Sequence, residues 1–282
     1  MHVILHGGAV GPQPEPEQRQ AYIDETAERA AEQSTPLDAV ETALRSLESS
    51  PRFNAGVGGA VQTDGVPKTD AGAMCSDLSV GAACAMPGVE HAISVARLVL
   101  EETPHVLLSG EHAVALADEF GIETGVDLWT DDSREQWEAA DVPTGSRREQ
   151  LEWLTETFEG SDTVGAVAYD GETFAAGTST RGRWFALAGR VGDVPQVGSG
   201  FYCTPAGGAS ATGAGEDIAR VTLSRLAVQF LEDGDDAQTA ADRAIDELAA
   251  ATGSFAGIIV LDEEGAGYAT NSDGMQTSVA RE

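Results

Sequence analysis

Apolar residues recur at helical spacing through much of the first half of the chain. Between Glu17 and Gln33, the residues Tyr22, Ile23, Ala27, Ala30 and Ala31 share one side, which predicts an amphipathic helix. Ser34-Thr35-Pro36 restarts a helix, with Thr35 suited to the N-cap and Pro36 to the first helical position. Leu37, Val40, Ala43, Leu44 and Leu47 continue its apolar face. A glycine-rich stretch from Phe53 to Ala60 follows, then strand-like pieces as far as Ala85. Helices are expected near 90–102 and 110–120. The polar, acidic segment from Thr130 to Val142 reads as a surface loop, Gln150 to Phe158 as a helix, and Glu159 to Asp162 as the end of a linker.

The second half opens with strands. Thr163–Tyr169 and Thr173–Ser179 flank Asp170-Gly171, a hairpin signal. Glu216–Leu231 and Ala237–Ala250 read as helices, and Phe255–Leu261 with Gly267–Asn271 as a closing strand pair. Regular βαβ alternation is missing, which argues against a doubly wound parallel fold and for sheets with helices on their outer faces.

Charge changes the picture. Among 282 residues, 47 are acidic and 16 basic, a net charge of -31, and Lys68 is the single lysine. Such a chain lacks the positive footprint of a nucleic-acid binder. The acid is spread along periodic apolar segments, so disorder does not explain it. A halophilic origin is the expectation, because a strongly anionic surface stays hydrated while salt screens its self-repulsion; an ordinary acidic mesophilic protein is the alternative. No apolar run reaches the ~20 residues of a membrane span, and the first residues read as a strand, not a signal peptide. A cytoplasmic protein is expected. Cys75, Cys84 and Cys203 form no CxxC pair and read as small buried hydrophobes.

Four segments carry candidate chemistry. At Thr163 a small polar turn, Gly160-Ser161-Asp162, gives way to the apolar run Val164-Gly165-Ala166-Val167-Ala168. A hydroxyl at such a junction becomes a nucleophile if the bond before it is cut, because its own α-amine is then available as base. Threonine is also simply a good strand residue. Gly177-Thr178-Ser179-Thr180 ends the facing strand, where hydroxyls can orient one another across the pair or merely mark a polar edge. Gly189-Arg190-Val191-Gly192-Asp193 places a cation and an anion three residues apart. Together these suit the carboxylate and ammonium of a free amino acid, or form a surface ion pair. Ala211-Thr212-Gly213-Ala214-Gly215-Glu216-Asp217 is a glycine-rich turn into a helix, whose N–H groups suit an oxyanion. Glu216 and Asp217 discourage phosphate there.

The set SDTVGAVAYD, AAGTSTRG, AGRVGDVPQVGSG and SATGAGED, with HGGA at His6–Ala9 and FNAG at Phe53–Gly56, resembles the N-terminal-threonine asparaginase family over nearly the whole chain and in the same order. That family includes plant-type L-asparaginases with isoaspartyl-peptidase activity, and glycosylasparaginases. The resemblance implies an α+β fold, the four-layer αββα sandwich of N-terminal nucleophile hydrolases. It implies self-cleavage between Asp162 and Thr163, giving a larger segment 1–162 and a smaller one 163–282, paired into a homodimer. It implies Thr163 as nucleophile and base, Thr180 holding its hydroxyl, and Asn54 supporting the region. Arg190 would bind the substrate α-carboxylate, Asp193 its α-amine, and Thr212 with the Gly213 N–H would form the oxyanion hole. The substrate would be L-asparagine or a β-aspartyl dipeptide, with no metal or organic cofactor for the chemistry; plant-type members carry a structural sodium loop, which would fall near residues 47–57 here.

Arg181 departs from the TSTGG pattern of plant-type members, and Gly182-Arg183-Trp184-Phe185-Ala186-Leu187 does not resemble their loop. The leaving group therefore stays open between asparagine, isoaspartyl dipeptides and, in the glycosylasparaginase branch, glycan-linked asparagine. A non-cleaving amino-acid-binding relative is the reading from a different class. An endopeptidase would be obstructed by a clamp for a free amino-acid head.

Overall fold

A computed structural model describes residues 1–9, 11, 14–157 and 163–282. The first half runs β1 (His2–His6), α1 (Pro16–Ala31), α2 (Pro36–Glu48), β2 (Lys68–Cys75), β3 (Val80–Pro87), α3 (Ala92–Glu102), β4 (Leu107–Ser109), α4 (Gly110–Glu119), α5 (Asp131–Ala139) and α6 (Arg147–Thr157). The second runs β5 (Val164–Tyr169), β6 (Phe174–Thr180), β7 (Phe201–Thr204), β8 (Gly207–Gly213), α7 (Gly215–Val221), α8 (Leu223–Glu232), α9 (Ala237–Thr252), β9 (Ala256–Leu261), β10 (Ala266–Thr270) and β11 (Thr277–Arg281). The predicted linker residues 159–162, with Phe158 at the end of the predicted helix, lie outside the described residues.

The strands form two sheets. One is seven-stranded, in the order β11-β1-β5-β6-β2-β3-β4, and the other is four-stranded, β10-β9-β8-β7. Period-2 alternation explains how they stack. On β1, Val3 and Leu5 face the layer of α1–α4 while Ile4 faces the second sheet; on β5, Val164, Ala166 and Ala168 face the helices and Val167 faces inward. On β9, Ala256, Ile258 and Val260 pack under α7–α9, and Ile259 and Leu261 point between the sheets. Three apolar layers therefore separate helices, sheet, sheet and helices: an αββα sandwich, as the resemblance implies.

Three expectations are corrected. The segment from Thr130 is not only loop. It begins α5, with Thr130 and Ser133 capping each other reciprocally and Asp131 and Asp132 in the first turn. The helix expected over 216–231 breaks at Thr222, which takes a left-handed φ of 51° and divides α7 from α8. Ala211–Gly213, expected as a turn, is the end of β8. That strand, GGASATG, lacks the bulky β-formers that advertise a strand, because its residues lie close against the facing sheet. Thr35 caps α2 as expected, accepting from the Asp38 N–H at 3.2 Å.

Candidate active site

Thr163 stands at the entrance of β5, an inner strand bonded to β1 on one side and β6 on the other. The β5–β6 register, Val164 opposite Ser179, brings Thr180 to its side. The Thr163 hydroxyl donates to Thr180 Oγ1 at 3.3 Å, and Thr163 is buried. Thr180 Oγ1 also accepts the Gly182 N–H at 3.0 Å and donates to the Asn54 carbonyl at 3.4 Å. Asn54 is itself fixed: its Oδ1 accepts from Ala60 N at 2.7 Å and its Nδ2 donates to Gly182 O at 2.7 Å.

The second sheet brings Thr212 toward the same end of β5. A Cβ on Gly165 would stand 2.0 Å from Ser210 Oγ, and one on Gly208 would stand 2.8 Å from Val167. Continued by one more inward-facing residue on each strand, the same order points Thr212 toward the Thr163 end of β5. The Thr212 hydroxyl is fully buried and has no hydrogen-bond partner among the described residues. Gly213 follows at φ 132°, where the strand turns toward α7.

Behind Gly165 lies a buried polar relay that sequence reasoning missed. Ser210 Oγ sits 3.0 Å from His6 Nε2 and 2.7 Å from Thr178 Oγ1, and Thr178 donates to the Gly200 carbonyl at 2.8 Å. With the Thr178 proton committed, Ser210 donates to Thr178 and accepts from the Nε2–H of His6. Burial pulls His6 down to about 3, opposed by the adjacent Thr163 main chain, so the ring is neutral.

Arg190 and Asp193 lie beyond the end of β6, where a Cβ on Gly182 would stand 3.4 Å from Arg190 Nη1. Arg190 donates through Nε and Nη2 to the two oxygens of Glu216, at 2.9 and 3.0 Å. Its carbonyl accepts from Gln62 Nε2 at 2.7 Å. Burial works against the charge of Glu216, but its bonds to Arg190 and the nearby Arg183 prevail and hold the carboxyl below its usual range. Asp193 is buried with Oδ2 unpartnered among the described residues. Burial raises it to about 6 against the opposing pull of Arg190. A Cβ on Gly215 would collide with Asp193 Oδ1 at 2.5 Å, so α7 begins tight against the acid.

Asp70, in strand β2, was also missed. It accepts from Ala85 N at 2.6 Å, and burial raises it, too, to about 6. The signals were present, an acid inside TDAGAMC and a Glu directly after GAG, but only tertiary pairing gives them meaning. Asp162 lies outside the described residues. Among the described residues, no group of three or more His, Cys, Asp and Glu is placed to hold a metal ion, and no helix is long and apolar enough to cross a membrane.

An αββα sandwich with a threonine pair at the mouth of an inner strand, beside a buried carboxylate and a held arginine, has the layering of the N-terminal nucleophile hydrolases, and the family match that follows makes the chain an amidohydrolase acting on C–N bonds. The sequence model described as Asparaginase matches residues 2–282, and the chain belongs to that family. It is 40% identical to the plant-type L-asparaginase of Thermococcus kodakarensis over 97% of this chain and 94% of that protein. It is 39% identical to the plant-type L-asparaginase of Pyrococcus furiosus over 99% of this chain and 96% of that protein. It is 34% identical to the isoaspartyl peptidase/L-asparaginase of Homo sapiens over 93% of this chain and 87% of that protein.

Proposed function

We propose that this chain is a self-processing amidohydrolase that cleaves the side-chain amide of L-asparagine and the β-aspartyl bond of isoaspartyl dipeptides. The observation that carries the reading is the Thr163 hydroxyl, 3.3 Å from Thr180 Oγ1 at the start of an inner strand. The names of the relatives support the same substrates.

In this reading the Asp162–Thr163 peptide bond is cut first, dividing the chain into 1–162 and 163–282. The freed Thr163 amine, with an unperturbed pKa of about 7.7–8.0, accepts the proton of its own hydroxyl. The oxygen attacks the substrate's side-chain carbonyl carbon. The Thr212 hydroxyl and the Gly213 N–H receive the developing oxyanion. The amine returns its proton to the leaving nitrogen, which departs as ammonia or as an amino acid. Water, deprotonated by the same amine, then opens the β-aspartyl ester and releases aspartate. Arg190 holds the substrate α-carboxylate and Asp193 its ammonium, while Asn54 steadies Thr180.

The test is Thr163→Ala, examined on a denaturing gel and for aspartate release. Neither two fragments nor product is expected, and either one in the variant would overturn the assignment. The extreme negative charge supports a halophilic, cytoplasmic enzyme, and the family supports a homodimer of cleaved pairs. Loss of activity on dialysis to low salt, and a mass in solution of twice one cleaved pair, check these two points.

A further inference from the structure

Arg181 follows Thr180 directly, yet its side chain runs into the protein. It is 2% exposed and among the largest fully buried side chains. Its contacts converge on the loop that carries Asn54. The Arg181 N–H donates to the Asn54 carbonyl at 3.0 Å. The stem passes Gly59, where a Cβ would stand 3.0 Å from Arg181 Cδ and 2.5 Å from Asn54 Oδ1; glycine leaves room for both. At the head, Nη1 donates to the carbonyls of Gly56 at 3.2 Å and Leu128 at 2.8 Å. The Leu128 carbonyl also accepts the Gly58 N–H at 2.9 Å. One guanidinium thus joins the 54–60 loop, the segment before α5 and the end of β6.

Among the described residues, no buried anion pairs with it. Asp127 is the anion that acts on it, and that side chain is 73% exposed and faces Arg134 at 3.6 Å. Nε and Nη2 have no partner among the described residues. A buried cation without a paired anion is costly, and burial pulls Arg181 down to about 9. An apolar side chain of similar length would avoid that cost but would leave the Gly56 carbonyl without this donor. What the arrangement secures is local. Asn54 bonds in turn to residues 180, 181 and 182, through the Thr180 hydroxyl, the Arg181 N–H and the Gly182 carbonyl.

We infer that Arg181 is a positioning residue: its guanidinium is a built-in cation that fixes the 54–60 loop and, through Asn54, sets the Thr180 hydroxyl against Thr163. The inference rests on the reading of Thr163 as nucleophile, and it goes beyond it in giving a role to a residue that departs from the TSTGG pattern.

The experiment compares wild type, Arg181→Ala and Arg181→Lys by gel, thermal unfolding and steady-state hydrolysis of a β-aspartyl dipeptide, with and without millimolar guanidinium. In folded, processed Arg181→Ala, kcat is expected to fall roughly 30- to 100-fold, the scale of a misplaced reacting group, with KM changed less than about threefold. Guanidinium should restore at least about tenfold of kcat in that variant and nothing in wild type. Arg181→Lys, a charge without the fork, should fall between. A kcat within about twofold of wild type, a loss confined to KM, or guanidinium raising the unfolding temperature but not kcat overturns the inference, since each is what a purely structural role predicts. If the alanine variant does not fold, the lysine variant carries the test, and wild-type kcat in it overturns the inference. If a variant folds but does not divide, the rate of self-cleavage and its rescue by guanidinium replace kcat. If wild type itself hydrolyses neither substrate, the proposed function fails. The clamp is then judged by amide exchange at Gly58 and Ala60: faster exchange in Arg181→Ala, slowed again by guanidinium, supports it, and unchanged exchange overturns it.

Discussion

Arg190 and Glu216 meet side-on, Nε against one carboxylate oxygen and Nη2 against the other. This fork holds the guanidinium plane and, among the described residues, leaves Nη1 without a hydrogen-bond partner, the side that in the proposed role meets an arriving carboxylate. In Glu216→Gln, the amide nitrogen would face an N–H donor and the fork would break. We expect KM for the β-aspartyl dipeptide to rise about tenfold with kcat nearly unchanged, measured by initial rates over a substrate series. An unaltered KM would assign Glu216 to the surface alone.

Asp193 has to be ionised to hold an ammonium group, and its carboxyl is raised to about 6 by burial. Arg190, Glu216 and Asp70 are the charged groups that act on it. Below pH 6 the acid is protonated and substrate grip is lost; above it the charge is present. KM is therefore expected to fall as pH rises through about 6. In Asp193→Asn it should be high and independent of pH over the same range. A wild-type KM that is flat between pH 5 and 8 would contradict this role.

Asp70 makes a stability prediction of opposite sense. Its folded value, about 6, lies above its unperturbed 3.8 because burial penalises the charge. A group raised in the fold binds its proton more tightly there, so its contribution to stability is full below about 4 and is lost as pH rises through about 6. At pH 8 the ionised acid costs up to about 3 kcal/mol. Asp70→Asn, whose oxygen can still accept from Ala85, should stabilise the protein at pH 8, with the gain vanishing by pH 4. Denaturant unfolding of both proteins at the two pH values checks it.

The sequence carried the threonine junction, the hairpin and the close spacing of Arg190 and Asp193, since each is a local pattern of turn, strand and charge. Motif resemblance joined them into one site and gave the layers of the fold. What stayed hidden depends on packing. The strand end Ala211–Gly213 looks like a turn because its residues are small, and the facing sheet lies close against this strand. Glu216 reads as a helix-start acid until Arg190, 26 residues earlier, is seen against it. His6 reads as part of an opening glycine motif until Ser210 arrives from the other sheet.

That last contact packs the two sheets closely at Gly165. β5 is held on both sides, with His6 opposite Gly165 on β1 and Thr178 opposite it on β6, so the strand cannot slide away. An alanine Cβ would sit 2.0 Å from Ser210 Oγ and 2.2 Å from His6 Nε2. Gly165→Ala must therefore displace the relay or part the sheets beside Thr163 and Thr212. Overpacking of this kind costs about 1–3 kcal/mol, or roughly 2–12 °C in unfolding temperature for a domain of this size. Removing the Ser210 hydroxyl in Gly165→Ala/Ser210→Gly should recover part of the loss, a coupling that independent sites would not show. Self-cleavage should slow in the single variant, because the parted sheets pull Thr212 away from the Thr163 end of β5. An unchanged unfolding temperature and a normal rate of division in Gly165→Ala would mean that the two sheets do not meet so closely at the nucleophile.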